Sequence, residues 1–273
     1  MKPAEIDIRS LTPRVRAALE AVSDLAPNEH TLRSGELMAA LAQLQADDEV
    51  LRAALLVLVV LLLIQLWYFG WVAWWKWNNP GETSFMRREL ATLREKKPKA
   101  ELKHRWIEYE RISNQLKRAV IASEDANFIE HEGVDWQAIE KAYKENIRKG
   151  KLARGGSTIT QQLAKNLFLS SDRSYWRKAQ ELVITYMIEA LWDKRRILEV
   201  YLNVVEWGDG VFGAEAAARQ YFGISASQLS AEQSARLAAY LPNPKRYGRI
   251  RSGPYLDRRT AAIQRFMIDA PVP

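Results

Sequence analysis

The sequence predicts a mainly α-helical chain in which one membrane-spanning helix precedes a single helical domain. Three observations predict it. Residues 53 to 75 read AALLVLVVLLLIQLWYFGWVAWW, with no charge and with Gln65 as the one strongly polar side chain. From residue 113 onward, apolar side chains recur at three- and four-residue spacing in successive segments punctuated by glycine and proline. The part that follows the apolar run is about 190 residues, enough to bury a core without metal or disulfide staples. The chain has no cysteine, which excludes disulfides and leaves the compartment open.

Residues 1–50 form a separate segment of unreadable role. Loose helical periodicity over 11–25 and 32–44 is broken around Pro27-Asn28. Residues 51–77 are the anchor: its apolar run is about 34 Å long as a helix, enough to cross a hydrocarbon core. Trp67, Tyr68, Trp71, Trp74, Trp75 and Trp77 crowd its C-terminal end, where an aromatic belt would sit. A core helix or a secretory signal is the bland alternative, but the run is too long for the first and starts too late for the second.

Flanking charge points the other way from the rest of the sequence. Residues 1–52 hold six Lys/Arg against nine Asp/Glu, whereas the far flank carries Lys76, Arg87, Arg88, Arg94, Lys96, Lys97 and Lys99. Taken alone, that bias would keep the larger domain in the cytoplasm. Residues 78–102 read as a polar juxtamembrane connector broken at Pro80-Gly81 and Pro98. From residue 81 the balance is 33 Lys/Arg to 24 Asp/Glu. Such a domain is drawn to anionic lipid heads by about 1 kcal/mol for each nearby basic side chain. No helix-turn-helix, zinc-finger or ribonucleoprotein motif accompanies the charge, so membrane lipids are expected as partners and nucleic acid is not.

Within residues 103–273, Ser113 to Glu124 predicts a helix with Leu116, Val120 and Glu124 stacked on one face, so that a carboxylate continues an apolar stripe. A helix over 136–147 is followed by a basic, glycine-bearing loop over 148–156. Ser157 or Thr158 caps the next helix, which carries Gln161, Gln162 and Lys165. One long helix is expected from Tyr175 to Leu202, with Ile184, Ile188 and Leu191 on its apolar face and Lys178, Glu181 and Thr185 along one side. A small helix runs from Ala214 to Phe222, another from Ala231 to Leu241 up to Pro242-Asn243-Pro244, and a last one from Tyr255 to Met267.

Glu124 and Glu181 are the candidate carboxylates. Glycosyl chemistry uses a carboxylate that accepts or donates a proton while a second charge tunes it, although spacing alone fits solvated helix glutamates equally. Lys165, Arg173, Arg177 and Lys178 are clustered donors suited to a diphosphate, or a solvated basic face. Gly155-Gly156-Ser157-Thr158 lacks the lysine–serine/threonine ending of a nucleotide phosphate loop, and His131 lacks the HExxH partner of catalytic zinc. His131 therefore reads as a structural or groove-lining side chain. No GxSxG elbow or cysteine nucleophile is present.

Five ordered motifs carry a resemblance. They are Glu124-Asp125-x-x-Phe128-x-x-His131-x-Gly133; Gly156-Ser157-Thr158-Ile159-Thr160-Gln161-Gln162-x-x-Lys165-Asn166; Arg177-Lys178-x-x-Glu181; Ile197-Leu198-Glu199-x-Tyr201-Leu202-Asn203 with Gly208, Gly213, Ala216-Ala217 and Tyr221-Phe222; and Leu237-Ala238-Ala239 with Pro242-Asn243-Pro244. Together they resemble the peptidoglycan glycosyltransferases, specifically the monofunctional biosynthetic transglycosylases, over roughly residues 103 to 250.

The resemblance implies a partly lysozyme-like domain with a head lobe and a membrane-facing jaw lobe. It implies an enzyme that polymerises lipid II, with the growing undecaprenyl-pyrophosphate-linked strand as donor and the 4-hydroxyl of an N-acetylglucosamine as acceptor, and with inversion. Carried onto this chain, Glu124 is the general base and Glu181 assists on the pyrophosphate side. Lys165 and Arg173 stabilise the leaving pyrophosphate beside Arg177 and Lys178, and Ser157, Thr158, Gln161, Gln162 and Asn166 shape the groove. No cofactor is required with certainty, and the resemblance leaves room for a divalent ion, Mg2+ or Mn2+, near Glu181. It also places the catalytic domain in the periplasm on a single-pass inner-membrane anchor, against the flanking charge, with proteins of wall synthesis or division as partners. The sequence after the domain leaves no room for a transpeptidase. A murein-cleaving lytic enzyme and a non-catalytic scaffold are the rival readings.

Overall fold

A computed structural model describes residues 34–140, 144, 156–170, 172 and 174–273, with side chains described from residue 49 onward. The chain divides into two units, Met1–Trp67 and Tyr68–Pro273. The predicted periodicity over 11–25, most of the loop over 148–156, and Arg173 lie outside the described residues.

Helix α1 spans Ser34–Trp75, so the second half of the N-terminal segment runs into the anchor without a break. Its stretch Glu49–Trp75 is long and apolar enough to cross a membrane. Leu55 to Leu63 expose half or more of their surface, which is what a lipid-solvated helix presents. The aromatic end of α1 divides its duties. Trp67, Trp74 and Trp77 are exposed, but the Tyr68 and Trp75 rings lie 5.3 and 5.1 Å from the Phe168 ring, and Val72 is fully buried.

The connector is the first departure from the sequence reading. It contains a helix, α2 (Ser84–Lys96), capped by Thr83, whose hydroxyl accepts from Met86 N at 3.1 Å. Met86 is buried and Glu89 pairs with Lys245, so this segment packs as part of the second unit. Polar composition concealed it because only one side of the helix is covered.

The rest of the described second unit holds a small sheet, eight further helices with both ends described, the helical residues 136–140, and short 3-10 turns at Tyr109–Arg111 and Ala226–Gln228. Strand β1 (Lys103–His104) pairs in parallel with β3 (Val211–Phe212), and β2 (Glu206–Gly208) pairs antiparallel on β3's other side. The helices are α3 (Asn114–Glu124), α4 (Ile159–Phe168), α5 (Tyr175–Leu191), α6 (Lys194–Val204), α7 (Ala214–Phe222), α8 (Ala231–Tyr240), α9 (Pro244–Ile250) and α10 (Pro254–Phe266). Of the helix expected over 136–147, residues 136–140 and 144 are described and helical. Helix α8 packs on α3 and α10, while α4 packs on α2, α5 and α6. Trp207, Tyr201, Phe128 and Phe212 are among the largest fully buried side chains of the core.

The single helix expected from Tyr175 to Leu202 is two helices. Trp192 adopts an extended backbone and its indole donates to Val72 O at 2.8 Å. Asp193 then caps α6 by accepting from Arg196 N at 2.7 Å. An aspartate four residues before an apolar stripe is a start signal, and here it outweighs the continuous helical periodicity. Beyond Pro242, Asn243 caps the short helix α9, which was absent from the sequence reading.

Candidate functional site

Helix α3 delivers Glu124 as the sequence implied. Ser113 caps the helix, Leu116 and Val120 are fully buried, and the stripe they begin ends at Glu124, the last helical residue. Glu124 is then met by α4. The Gln162 side-chain amide donates to Glu124 Oε2 at 3.0 Å, and the Gln162 carbonyl accepts from the Tyr201 hydroxyl at 3.0 Å. Burial pushes the Tyr201 phenol well above its ordinary value, and the Glu124 and Asp125 carboxylates push the same way. Tyr201 therefore stays a donor and fixes which face of the Gln162 amide Glu124 sees.

Asp125 and His131 hold the frame. Asp125 accepts from His131 Nε2 at 2.8 Å and from Ile159 N at 2.9 Å, tying the end of α3 to the first residue of α4. Gly133 adopts φ +85, and a side chain there would meet Thr185 Cγ2 at 2.7 Å. Its carbonyl accepts from Thr158 Oγ1 at 2.5 Å. Thr158 and Gln161 form a complete capping box on α4, so their hydrogen-bonding capacity is spent largely on the helix start. Asn166 is buried one turn further on.

The cationic half of the site lies where α4 faces α5. Glu181 is 3% exposed and receives Arg177 Nη1 on Oε2 and Lys178 Nζ on Oε1, both at 2.5 Å. Lys178 also reaches Ser157 Oγ at 3.5 Å, at the entry to α4. The Lys165 carbonyl accepts from Leu169 N at 2.9 Å, but its ammonium makes no hydrogen bond or ion pair with another described residue. Burial holds its ammonium below the usual lysine range; Glu181 and Glu124 oppose that shift, while Arg177 and Lys178 add to it. A lysine in the field of both carboxylates joins the two halves into one site. Its ammonium has no ion-pair partner among the described residues.

The donor set near Glu181 does not fit a resident divalent ion. Both carboxylate oxygens are engaged by cations, and no group of three His, Cys, Asp or Glu that could hold a metal occurs among the described residues. A cavity of about 440 Å³ opens beside His131, but its lining of Glu130, Glu132 and Asp135 would repel a diphosphate. It contains none of Glu124, Gln162, Lys165 or Glu181.

Two site residues escaped the sequence reading. Tyr201 lies in a quoted motif but carried no role there. Arg259, on α10, stands 3.6 Å from Glu124 Oε1 and donates to Ser123 Oγ at 3.0 Å. No local signal reveals an arginine whose partner is 135 positions away.

A family model described as Transglycosylase matches residues 89–268, beginning inside α2. A biosynthetic peptidoglycan transglycosylase of Janthinobacterium sp. (strain Marseille) is 64% identical over 215 residues, which is 79% of this chain and 93% of that protein. The protein of the same name from Herminiimonas arsenicoxydans is 62% identical over 216 residues, 79% of this chain and 94% of its own. That of Bordetella pertussis (strain Tohama I) is 59% identical over 221 residues, 80% of this chain and 91% of its own.

Proposed function

The chain belongs to the biosynthetic peptidoglycan transglycosylases, which are peptidoglycan glycosyltransferases, and from that premise we propose that it polymerises lipid II into glycan strands by inverting transfer. Glu124 removes the proton from the 4-hydroxyl of the acceptor N-acetylglucosamine. The freed oxygen attacks the anomeric carbon of the donor's N-acetylmuramic acid from the face opposite the lipid diphosphate. The new C–O bond forms as the bond to the diphosphate oxygen breaks, and the departing electron pair leaves on undecaprenyl diphosphate. A diphosphate leaves as a stabilised anion, so this reaction asks for cations at the leaving group rather than for an acid. Cleaving an ordinary glycosidic bond would ask for a proton donor there.

One observation carries this reading: α4 presents Gln162 to Glu124 and, three residues on, Lys165 to the Arg177–Lys178–Glu181 cluster. A carboxylate acceptor and, one turn on, an ammonium outside any ion pair among the described residues suit a sugar hydroxyl at one end and a phosphate at the other. Ser157, Thr158, Gln161 and Asn166 shape the groove between, and Lys165 is the cation that meets the leaving diphosphate. In the same reading Glu181 acts through the cations it holds, and the domain divides into a head lobe and a membrane-facing jaw lobe around the groove.

Lipid II displays its sugars on the outer face of the cytoplasmic membrane, so the proposal places residues 78–273 in the periplasm, anchored by 51–77, with 1–50 in the cytoplasm. A reporter fused to Pro273 should be active only in its periplasmic form; cytoplasmic activity would reject this topology. The chemistry is tested by incubating purified protein with lipid II and, separately, with finished glycan strands. Polymer from lipid II that disappears in Glu124→Gln, with the variant still folded, supports the reading. Anhydro-muropeptides from finished strands, or normal turnover by Glu124→Gln, would overturn it.

A further inference from the structure

The two oxygens of Glu124 are held from opposite sides. Gln162, from α4, occupies Oε2 at 3.0 Å. Oε1 faces Ser123, whose hydroxyl is 3.2 Å away, and Arg259, whose Nη2 is 3.6 Å away and donates to that same hydroxyl at 3.0 Å. Ser123 and Glu124 end α3, whereas Arg259 lies on the middle of α10. The guanidinium thus ties the C-terminal helix to the carboxylate through one hydrogen bond and one charge–charge contact.

The surroundings make that contact strong and specific. Glu124 exposes 11% of its side chain and Arg259 28%, so water screens the pair only in part. Arg259 Nε is buried and has no hydrogen-bond partner among the described residues. An arginine placed here only to fasten α10 would be expected to spend that donor on a neighbouring carbonyl. Arg236 on α8 does fasten α10: its Nη1 donates to Asp257 Oδ1 at 2.7 Å, and it makes no contact with Glu124.

We infer that Arg259 is a positioning residue for glycosyl transfer, fixing Glu124 Oε1 directly by charge and indirectly through Ser123, so that the carboxylate faces the acceptor hydroxyl. The inference rests on the reading of Glu124 as the base. With Gln162 on one oxygen and Arg259–Ser123 on the other, the carboxylate cannot rotate about its last bond without losing a contact at both ends. Its remaining lone pairs keep one direction, which is what a general base needs in order to meet a proton held by a bound sugar.

The test uses the full-length detergent-solubilised protein and lipid II, with initial rates resolved into kcat and KM and with thermal midpoints measured in parallel. Arg259→Gln should lower kcat by about 10- to 100-fold with little change in KM, the size expected when a reacting group is misplaced by about 1 Å. Its thermal midpoint should match that of Arg236→Gln, which breaks the α8–α10 ion pair and should keep near-normal kcat. Arg259→Lys, which restores the charge, should recover part of the lost rate, and Ser123→Ala should fall between wild type and Arg259→Gln. A wild-type kcat in Arg259→Gln, or a loss that follows the thermal midpoint and is not relieved by lysine, would overturn the inference. If Arg259→Gln destabilises the fold, Ser123→Ala decides instead, since an unchanged kcat there removes the indirect route. An active Glu124→Gln would defeat the base assignment itself. An inactive Glu124→Gln beside a fully active Arg259→Gln would defeat this inference alone.

Discussion

The buried Tyr201 hydroxyl donates to the Gln162 carbonyl at 3.0 Å, and that contact sets the amide hydrogen that Gln162 offers to Glu124. Removing the hydroxyl lets the amide turn over and present its oxygen to the carboxylate. Tyr201→Phe should therefore cost stability by about 1 kcal/mol, the usual net value of one buried hydrogen bond. Its effect on kcat should be larger, about tenfold, with the far-ultraviolet circular dichroism unchanged. Gln162→Glu sets a second carboxylate against the first and should be worse still. Equal kcat in wild type and Tyr201→Phe would show that amide orientation does not matter to turnover.

Burial disfavours the Lys165 ammonium, while the Glu181 and Glu124 carboxylates favour it. Such groups oppose folding and serve function, so their removal separates the two. Lys165→Met should leave the thermal midpoint unchanged or raise it by a few degrees. Polymerisation should drop by about 100-fold or more, in line with loss of one preorganised electrostatic contact to a leaving group. Calorimetry and lipid II turnover on the same preparation check both halves. A lowered midpoint with intact activity would reverse the assignment.

Gly133 links the frame to the site through its carbonyl, which receives Thr158 Oγ1. Its φ of +85 is unfavourable for any side chain, and an added methyl would strike Thr185 and Glu189 at 2.7 and 2.9 Å. Gly133→Ala should destabilise the domain by about 1–3 kcal/mol, the range for a strained backbone position. Chemical denaturation measures it. A change below a few tenths would mean that the loop relaxes freely.

Glu206 gives the domain a pH dependence. Burial raises its carboxyl from 4.5 to about 8; Lys245 opposes the shift, while Glu89 and Asp209 add to it. Between those two values the folded chain holds a proton that the unfolded chain has released. Stability from this group is therefore full below pH 4.5 and falls as pH rises toward 8, by a few kcal/mol in order of magnitude. Glu206→Gln mimics the protonated form and should flatten the decline in thermal midpoint between pH 5 and 8.5. Parallel curves for variant and wild type would exclude Glu206 as its source.

Much of the fold was legible because its signals are local. The stripe ending at Glu124, the Thr158 cap and the small helix Ala214–Phe222 all follow from spacing within about one or two turns. The missed elements fail for a related reason. Helix α2 hides in polar sequence because only one of its faces is covered. The break at Trp192 depends on an indole finding a carbonyl 120 positions earlier.

The sequence by itself determined the helical content, the single apolar span and the pairing of Glu181 with Arg177 and Lys178. Those cations lie four and three residues before it on the same helix, where helical geometry alone brings the side chains together. Only the tertiary structure decided that Glu124 meets Gln162, Ser123 and Arg259, and that Lys165 feels both carboxylates. Such contacts depend on how α3, α4, α5 and α10 pack, and packing is set by the shape of the whole core rather than by any stretch of sequence read alone.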